Sequence, residues 1–273
     1  MIENHFNDKY KLGYITKNTG DITIVFVPGN SLTLDIFNNQ FSDSMFDEYS
    51  ILAMDLPGHG ESPPADNPEL TYSVKGLAST LSEFIKETVH GPVVLVGYSL
   101  SGNIVIEMAP QLTNTIGIVI NGTPPVSSLG DIVNGYLPDT SLAEVFFEDN
   151  LDEDKLNKFC RFCTNSNRDY DKVIKEMIIK TDKSFRGWLG KTVMQEQFGD
   201  EVKILENLEI PVAVLHGELD SLINLDYLRS LKIPKLWRGE VQIVESAPHL
   251  IHLTHTAEFN KLLHNFISQE CTN

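Results

Sequence analysis

Short runs of apolar residues recur along the chain and alternate with segments that have the hydrophobic period of helices. Apolar runs bounded by turn residues are typical of strands buried on both faces of a parallel sheet. The loosely alternating residues 10–16, followed by a polar turn, predict an antiparallel partner for the first of these strands. The runs themselves predict strands at 22–27, 49–54, 93–96, 116–120, 211–215 and 241–244.

Segments between the predicted strands carry apolar residues three and four positions apart, which is the spacing of one helix face. Residues 103–111 and 258–267 each predict a helix. The alternation of strand and helix predicts an α/β fold with a mostly parallel central sheet flanked by helices. The clearest stripe ends before Gly91-Pro92 and consists of Val74, Leu77, Ala78, Leu81, Phe84 and Ile85.

This alternation stops after residues 121–125. From there to about residue 205 the pattern predicts helices and polar turns rather than buried strands. We therefore expect an α/β core of residues 1–123 and 206–273, and a helical cap of residues 124–205. The cap is inserted after the strand at 116–120, counted as the sixth strand of the fold. An insertion at this place is where a lid over an active site would lie.

Composition and charge narrow the classes of partner. The 273 residues carry 21 Lys and Arg against 38 Asp and Glu, a net charge of −17. Such a field repels nucleic acid and anionic membranes, so we expect neither as a partner. Neither a secretory signal nor an apolar stretch of roughly 20 residues, the length that spans a bilayer, is visible. Three cysteines cannot form a disulfide scaffold, so we expect a reduced, cytoplasmic protein. The sequence leaves the oligomeric state open between monomer and dimer.

The negative charge is concentrated in the first part of the predicted cap. Residues 131–155 contain eight acidic residues and one lysine, whereas residues 156–205 carry an excess of three positive charges. The simplest interpretation is a solvated helix face. An alternative hypothesis is that the acidic run lies at the mouth of a site, where it would help an anionic product to leave.

The strongest chemical signal is a serine at the end of a predicted strand. The strand at 93–96 is followed by Gly97-Tyr98-Ser99 and then by a helix pattern. A serine on such a turn projects its hydroxyl above the sheet edge, and the N–H groups that follow face the same space. Ser99 is therefore the candidate nucleophile, with the backbone N–H of Leu100 as one oxyanion donor.

Other strand ends supply the groups that a serine nucleophile needs. Asp220 follows the strand at 211–215 and is the candidate acid, and His249 follows the strand at 241–244 and is the candidate base. The chain order serine, aspartate, histidine is the one expected for this arrangement. The backbone N–H of Asn30, after the first strand, is the candidate second oxyanion donor.

These motifs resemble an α/β-hydrolase with a cap, over essentially the whole chain. The resemblance rests on residues 55–62, 97–99 and 217–220 and on the segment of His249. Three stretches are more narrowly similar to the N-acyl-homoserine lactonases of the α/β-hydrolase type, namely 28–31, 121–126 and 210–271. The narrower resemblance implies an enzyme that opens the lactone ring of N-acyl-homoserine lactones, an activity that quenches quorum sensing.

Three positions depart from the usual pattern of the family. Ser101 stands two residues after Ser99, where glycine is usual. Pro248 precedes His249 in place of glycine, and its fixed φ near −65° is expected to change how this loop holds the imidazole. Pro28 replaces a common histidine, which changes the contacts of the oxyanion loop without removing its N–H donor.

Other residues of the same types compete for these roles. Ser101 is a weaker candidate nucleophile because it lies within the helix. Glu218 is an alternative acid, and His252 and His255 are alternative bases, whereas His59 is expected to be structural. For the substrate pocket we expect aromatic side chains, namely Tyr98, Phe146, Phe159 and Trp188.

The predicted function is a serine hydrolase of a small neutral acyl lactone or ester, working without a metal or organic cofactor. Cys160 and Cys163 lack the further ligands that zinc needs, so we expect them in the interior of the cap. A carboxylesterase or small-peptide aminopeptidase, a slow small-molecule receptor and a cofactor-free oxygenase remain open alternatives. A serine at position 99 argues against dehalogenases and epoxide hydrolases that use an aspartate nucleophile.

Overall fold

The apolar runs of the sequence form one central sheet. In the computed structural model, which describes residues 2–139 and 141–272, this sheet has eight strands. Four of them are buried at every residue, which is why they read as continuous apolar runs. The strands are β1 Glu3–Asn7, β2 Leu12–Lys17, β3 Thr23–Val27, β4 Ser50–Met54, β5 Val93–Tyr98, β6 Thr115–Asn121, β7 Val212–Gly217 and β8 Gln242–Val244.

The spatial order of the strands is β1-β2-β4-β3-β5-β6-β7-β8. From β4 to β8 in this order the neighbours pair in parallel, whereas β1 and β2 form an antiparallel hairpin at one edge. The mostly parallel sheet is therefore confirmed. The partner predicted for residues 10–16 was wrong, because β4 and β5 occupy both sides of β3. The hairpin strand β2 pairs with β4 instead, with Tyr14 opposite Met54.

The helices follow the predicted periodicity, with small shifts at their ends. The apolar stripe at 74–85 forms a helix whose N-cap, Ser73, accepts a hydrogen bond from the N–H of Gly76 at 3.0 Å. Within the described residues the α-helices are α1 Asn38–Ser42, α2 Pro68–Thr71, α3 Val74–Thr88, α4 Leu100–Met108, α5 Leu129–Gly135, α6 Leu142–Phe146, α7 Glu153–Thr164, α8 Asp171–Ile179, α9 Phe185–Met194, α10 Glu201–Asn207, α11 Leu225–Ser230, α12 Ile251–Thr254 and α13 Thr256–Phe266. Short 3-10 turns lie at Leu34–Phe37, Ser44–Phe46, Ala109–Gln111, Arg168–Tyr170 and Trp237–Gly239, and a π-helical turn at Ile267–Cys271.

Between β6 and β7 the chain runs through α5 to α10, which confirms a helical insertion after the sixth strand. We call residues 124–205 the cap segment. It contains α5 to α9 and the first residues of α10, which packs against α4. The division into a core and a separate cap domain stays a prediction. In the part of the chain that the structure describes, we find no helix with the length and hydropathy that a membrane span requires.

Candidate active site

The carboxyl ends of the parallel strands meet at one edge of the sheet, which is where open α/β sheets bind ligands. The loops after β3, β5, β6, β7 and β8 carry the predicted residues to this edge. The loop after β6 is tied directly to Ser99, whose N–H donates to the Asn121 carbonyl and whose own carbonyl accepts the Thr123 hydroxyl, at 2.9 and 2.8 Å. Five residues at this edge were predicted to take part in catalysis, namely Asn30, Ser99, Leu100, Asp220 and His249.

Ser99 occupies a strained backbone conformation at the turn between β5 and α4. Its φ of 52° and ψ of −123° cost a non-glycine residue about 1–3 kcal/mol. Two glycines make this turn possible. A Cβ at Gly97 would collide with the backbone of Ser101, and a Cβ at Gly102 would collide with Thr123. The chain is therefore held tightly on both sides of the serine, at the edge of the sheet.

Ser101 fits in place of the usual glycine because its hydroxyl satisfies backbone groups of the turn. The side chain is fully buried, and its Oγ donates to the carbonyl of Val27 at 2.6 Å. The same oxygen accepts the N–H of Tyr98 at 2.7 Å. Ser101 thus links β3 to the end of β5 beneath Ser99. A buried hydroxyl with these bonds does not support the alternative in which Ser101 is the nucleophile.

Asp220 and His249 form a buried, hydrogen-bonded pair. His249 Nδ1 donates to Asp220 Oδ2 at 2.7 Å. Burial acts to raise the pKa of Asp220, but the charge and hydrogen bond of His249 and the N–H of Leu222 hold this pKa below its ordinary value of 3.8. The carboxylate is therefore ionised at neutral pH. Because the Nδ1 proton is bonded to it, Nε2 is the nitrogen that can accept a proton.

Glycine residues make room for this pair. Gly122 has a φ of 56°, and a Cβ there would lie 2.9 Å from the imidazole of His249. A Cβ at Gly217 would collide with the carbonyl of Pro248. The hydrogen bond between His249 and Asp220 is present with Pro248 at the preceding position.

Asn30 lies in the same cavity wall as Ser99, and the cap segment holds its loop in place. The side-chain amide of Asn30 donates to the carbonyl of Phe146 at 3.0 Å, and the hydroxyl of Ser31 donates to Asn30 Oδ1 at 2.8 Å. The buried guanidinium of Arg186 donates to Ser31 Oγ at 3.0 Å. The oxyanion role of the N–H groups at positions 30 and 100 stays a prediction.

A cavity of about 480 Å³ lies between this sheet edge and the cap segment, within the size range of ligand pockets. From the core, Asn30, Ser99 and Leu100 contribute to its wall. Two carboxyl groups also line it, exposed Asp139 and buried Glu201. Most of the remaining wall is apolar and comes from the cap segment, including Ile132, Val133, Leu137, Leu142, Phe146, Phe147, Leu189, Val193 and Phe198.

Of the aromatic residues predicted to contact substrate, Phe146 lines this cavity. The other three are not part of the described cavity wall, and their contact with substrate stays a prediction. Tyr98 is buried against the ring of His249, with 5.0 Å between the ring centroids. Phe159 packs inside the cap segment, 4.8 Å from the ring of Phe146. Trp188 is half-buried, with a lysine ammonium 4.1 Å from its ring centroid.

The structure adds residues that the sequence analysis missed, among them Asn103, Tyr136 and Glu201 in the cavity wall. Glu201 is fully buried at the first position of α10. In the sequence it follows Asp200, and acids at a helix N-terminus usually face solvent and favour the helix dipole. Asn103 and Tyr136 belong to no motif. Asn103 and Glu201 come together where α10 packs against α4, and Tyr136 follows the end of α5.

The competing acids and bases are engaged elsewhere. Glu218 is exposed and accepts a backbone N–H at 2.7 Å. His252 is fully buried, and this burial lowers its pKa to about 3, while His255 lies 3.0 Å from the hydroxyl of the preceding threonine. His59 is also buried, and its Nε2 accepts the N–H of Ser31 at 3.2 Å. His59 thus supports the loop that contains Asn30 and Ser31, in agreement with a structural role.

The described residues include no group of three His, Cys, Asp or Glu side chains arranged to hold a metal ion. Cys160 and Cys163 are buried free thiols in α7. Burial raises the pKa of Cys160 to about 11, so the thiol stays protonated. Both cysteines lie in the interior of the cap segment, as expected.

Comparison with known proteins agrees with this architecture. A model of the alpha/beta hydrolase family matches residues 24–262. The chain is 24% identical over 247 residues to a putative 2-succinyl-6-hydroxy-2,4-cyclohexadiene-1-carboxylate synthase of Bacillus subtilis, covering 84% of each chain. It is 26% identical over 230 residues to a pimeloyl-[acyl-carrier protein] methyl ester esterase of Methylococcus capsulatus, covering 81% of this chain and 85% of the relative.

Among solved structures, the chain superimposes on the N-acyl homoserine lactonase AidH, in a mutant form complexed with N-hexanoyl homoserine. The TM-score is 0.93 at 24% sequence identity, and the match covers 100% of this chain and 98% of the other. At this identity the similarity establishes the fold, including the arrangement of the helices between β6 and β7.

Proposed function

The chain belongs to the α/β-hydrolase family, and from this premise we propose that it is a serine hydrolase that opens the ring of N-acyl-homoserine lactones. The observation that carries the proposal is Ser99, held at a strained turn in the wall of a largely apolar cavity. The hydrogen-bonded pair of Asp220 and His249 lies at the same sheet edge. A nucleophile, a base with its orienting acid and an acyl pocket are the parts that acyl transfer requires.

In the proposed reaction Ser99 Oγ attacks the lactone carbonyl carbon while His249 Nε2 takes the serine proton. Asp220 holds the imidazole and stabilises its cation. The N–H groups of Asn30 and Leu100 bind the oxyanion of the tetrahedral intermediate. The ring C–O bond then breaks, and the imidazolium returns its proton to the alkoxide. Water, deprotonated by His249, hydrolyses the acyl-enzyme in the second half of the reaction.

A lactone imposes a requirement that an ordinary ester does not. The leaving alcohol stays tethered to the acyl group, so its hydroxyl attacks the acyl-enzyme at a high effective concentration and closes the ring again. Net turnover therefore needs a water held close to His249. A variant of the mechanism, in which His249 activates water for direct attack on the lactone, gives the same product without an acyl-enzyme.

Two observations favour an acyl lactone as the substrate. The apolar wall supplied by the cap segment suits an uncharged acyl chain. The whole-chain similarity to AidH, a protein described as an N-acyl homoserine lactonase, supports the same substrate class. A carboxylesterase is the second candidate function, and the relative described as a methyl ester esterase, matched over 85% of its length, favours it.

A substrate panel tests the proposal. It compares N-acyl-homoserine lactones of increasing chain length with open-chain esters of the same acyl groups and with aminoacyl amides. We expect the highest kcat/KM for the lactones, with many turnovers per protein. Faster hydrolysis of the open-chain esters would favour a carboxylesterase. Release of one product molecule per protein molecule, followed by arrest, would favour a slow small-molecule receptor. Ser99→Ala, purified in the same way, controls for contaminating hydrolases.

A further inference from the structure

Glu201 is a buried carboxyl group in the wall of the cavity that contains Ser99. Its Oε2 accepts two hydrogen bonds, from Asn103 Nδ2 at 2.7 Å and from the N–H of Val126 at 3.0 Å. Its Oε1 is equally buried and has no hydrogen-bond partner among the residues that the structure describes. A buried polar atom left unpaired costs about 1–3 kcal/mol, so such a position in a pocket wall calls for an explanation.

The surroundings of Glu201 favour the protonated form of its carboxyl group. Burial is the main cause that raises its pKa well above the ordinary value of 4.5, and the nearby Glu107 adds to the effect. The hydrogen bonds from Asn103 and Val126 oppose the shift without cancelling it. Because both of these donors point at Oε2, the proton belongs on Oε1. In the protonated form, Glu201 therefore carries an O–H donor on Oε1 that has no partner among the described residues, in a side chain that belongs to the cavity wall.

The position of this donor relative to the nucleophile is fixed through α4. Asn103 follows Ser99 by four residues, a rise of ~6 Å along the helix axis. A second bond, from the N–H of Glu201 to the carbonyl of Val126 at 3.0 Å, holds the two ends of the cap segment together. Glu201 is thus hydrogen-bonded to a residue one helical turn after Ser99, and both Ser99 and Glu201 belong to the wall of the same cavity.

We propose that Glu201 is a specificity-determining residue, which donates a hydrogen bond from its buried carboxyl group to an acceptor oxygen of the substrate outside the scissile ester. The inference rests on the proposed function and assigns the residue that recognises the second oxygen acceptor of its substrate, such as the amide carbonyl of an N-acyl lactone. A plain alkyl lactone lacks this acceptor. A site built to pair a buried polar group discriminates strongly against an analogue that lacks the partner.

Binding of paired lactams tests this assignment without requiring turnover. One γ-lactam carries an N-hexanoylamino group, and the other carries an alkyl chain of the same length with no second carbonyl. We expect calorimetry to show that the wild type binds the first at least about tenfold more tightly, about 1.4 kcal/mol. Glu201→Gln retains a donor and should keep the preference, whereas Glu201→Met should abolish it. Glu245→Gln, which changes an exposed acid outside the described cavity wall, is the control and should keep it.

Infrared difference spectroscopy gives a readout that does not need the methionine variant to fold. We expect a carbonyl band of a protonated carboxyl group that disappears in Glu201→Gln and shifts on binding of the hexanoylamino lactam, but not of the alkyl lactam. A purely structural Glu201 would leave this band unmoved. Equal binding of the two lactams by the wild type would overturn the assignment, as would tighter binding of an ammonium-bearing lactam.

The experiments can refute the lactonase function and the assignment of Glu201 independently of each other. If the wild type prefers the hexanoylamino lactam but hydrolyses no lactone, the assignment of Glu201 holds and the lactonase function is wrong. If the wild type hydrolyses lactones without any preference between the lactams, the lactonase function holds and the assignment of Glu201 is wrong.

Discussion

At the scale of single residues, the backbone of Ser99 carries strain that its proposed role explains. Glycine adopts a φ of 52° without penalty, so Ser99→Gly should raise the free energy of unfolding by about 1 kcal/mol while abolishing hydrolysis. Ser99→Ala should abolish hydrolysis without this gain, because alanine keeps a Cβ. Chemical denaturation of the three proteins measures the difference. Equal stability of the glycine and alanine variants would contradict strain at this turn.

Asp220 and Glu218 offer a direct test of which carboxylate orients His249. Asp220→Asn should lower kcat by about 10³–10⁴, because the amide favours the wrong imidazole tautomer and removes the charge that stabilises the imidazolium. Glu218→Gln should stay within about twofold of the wild type, since this residue is exposed and accepts a loop N–H. Steady-state kinetics of both variants decide the matter. A greater loss in Glu218→Gln would transfer the role of the acid to Glu218.

Residues that carry a local signature could be predicted from the sequence, and residues that depend on packing could not. Ser99, Asp220 and His249 each follow a recognisable strand, so their placement at one edge follows from the topology of parallel strands. Glu201 gave no such signal, because an acid at a helix N-terminus looks the same whether the helix faces water or a cavity. For the same reason Phe159 and Trp188 could not be told apart from Phe146.

At the scale of elements, the strands and the long helices could be predicted from the sequence. Which strands pair with each other, and at which residues the helices begin and end, could be predicted less well. The order in which strands lie side by side is a long-range property, and nothing in residues 10–16 indicates that β4 rather than β3 is their neighbour. Similarly, α4 begins at Leu100, three residues before the predicted start at 103, because the tight turn at Ser99 leads straight into the helix.

The helix α12 contributes a buried histidine that should make the fold sensitive to acid. His252 packs against the rings of Phe37 and Phe259, at 4.8 and 5.7 Å between centroids, and burial lowers its pKa from 6.5 to about 3. Because the unfolded chain binds the proton more readily, the contribution of His252 to stability is lost as the pH falls below about 6.5 towards 3.

His252→Phe should remove this contribution while keeping an aromatic ring among its neighbours. The free energy of unfolding of the variant should therefore fall less steeply between pH 6.5 and pH 4 than that of the wild type. Denaturant titrations across this range measure the two slopes. Identical slopes would show that His252 does not couple folding to protonation.

At the scale of the whole molecule, the net charge of −17 is unevenly distributed, because residues 131–155 form a strongly acidic run. Asp139 lies in the cavity wall and is exposed, so the acidic run does reach the site. Under the proposed function the product is a carboxylate, which this charge would repel. Asp139→Asn should therefore strengthen product inhibition by up to about threefold at low ionic strength, and salt should erase the difference.

The control for this prediction is Glu245→Gln, which removes an exposed acid outside the described cavity wall. Inhibition constants for the product at low and high salt measure the effect in both variants. If Glu245→Gln changed product inhibition as much as Asp139→Asn, the effect would come from net charge alone. The acidic run would then have no specific part in product release.

The overall fold is the feature that the sequence predicted best. The sequence resemblance to an α/β-hydrolase similar to the N-acyl-homoserine lactonases is confirmed by the match of the family model and by the superposition on AidH. The pattern of buried strands, the helical insertion after β6 and the positions of the turn glycines each constrain the same fold. The cap side chains that line the cavity meet through packing, so the sequence pattern could not identify them.

Labelling with a fluorophosphonate, read by mass spectrometry of the digested protein, tests the central claim most directly. Such probes react with a serine hydroxyl that is activated by a neighbouring base. We predict stoichiometric label on the peptide that contains Ser99 in the wild type, and its loss in Ser99→Ala. Pre-incubation with an N-acyl-homoserine lactone should slow the labelling. A wild-type protein that is folded, hydrolyses lactones and leaves Ser99 unlabelled would contradict the account.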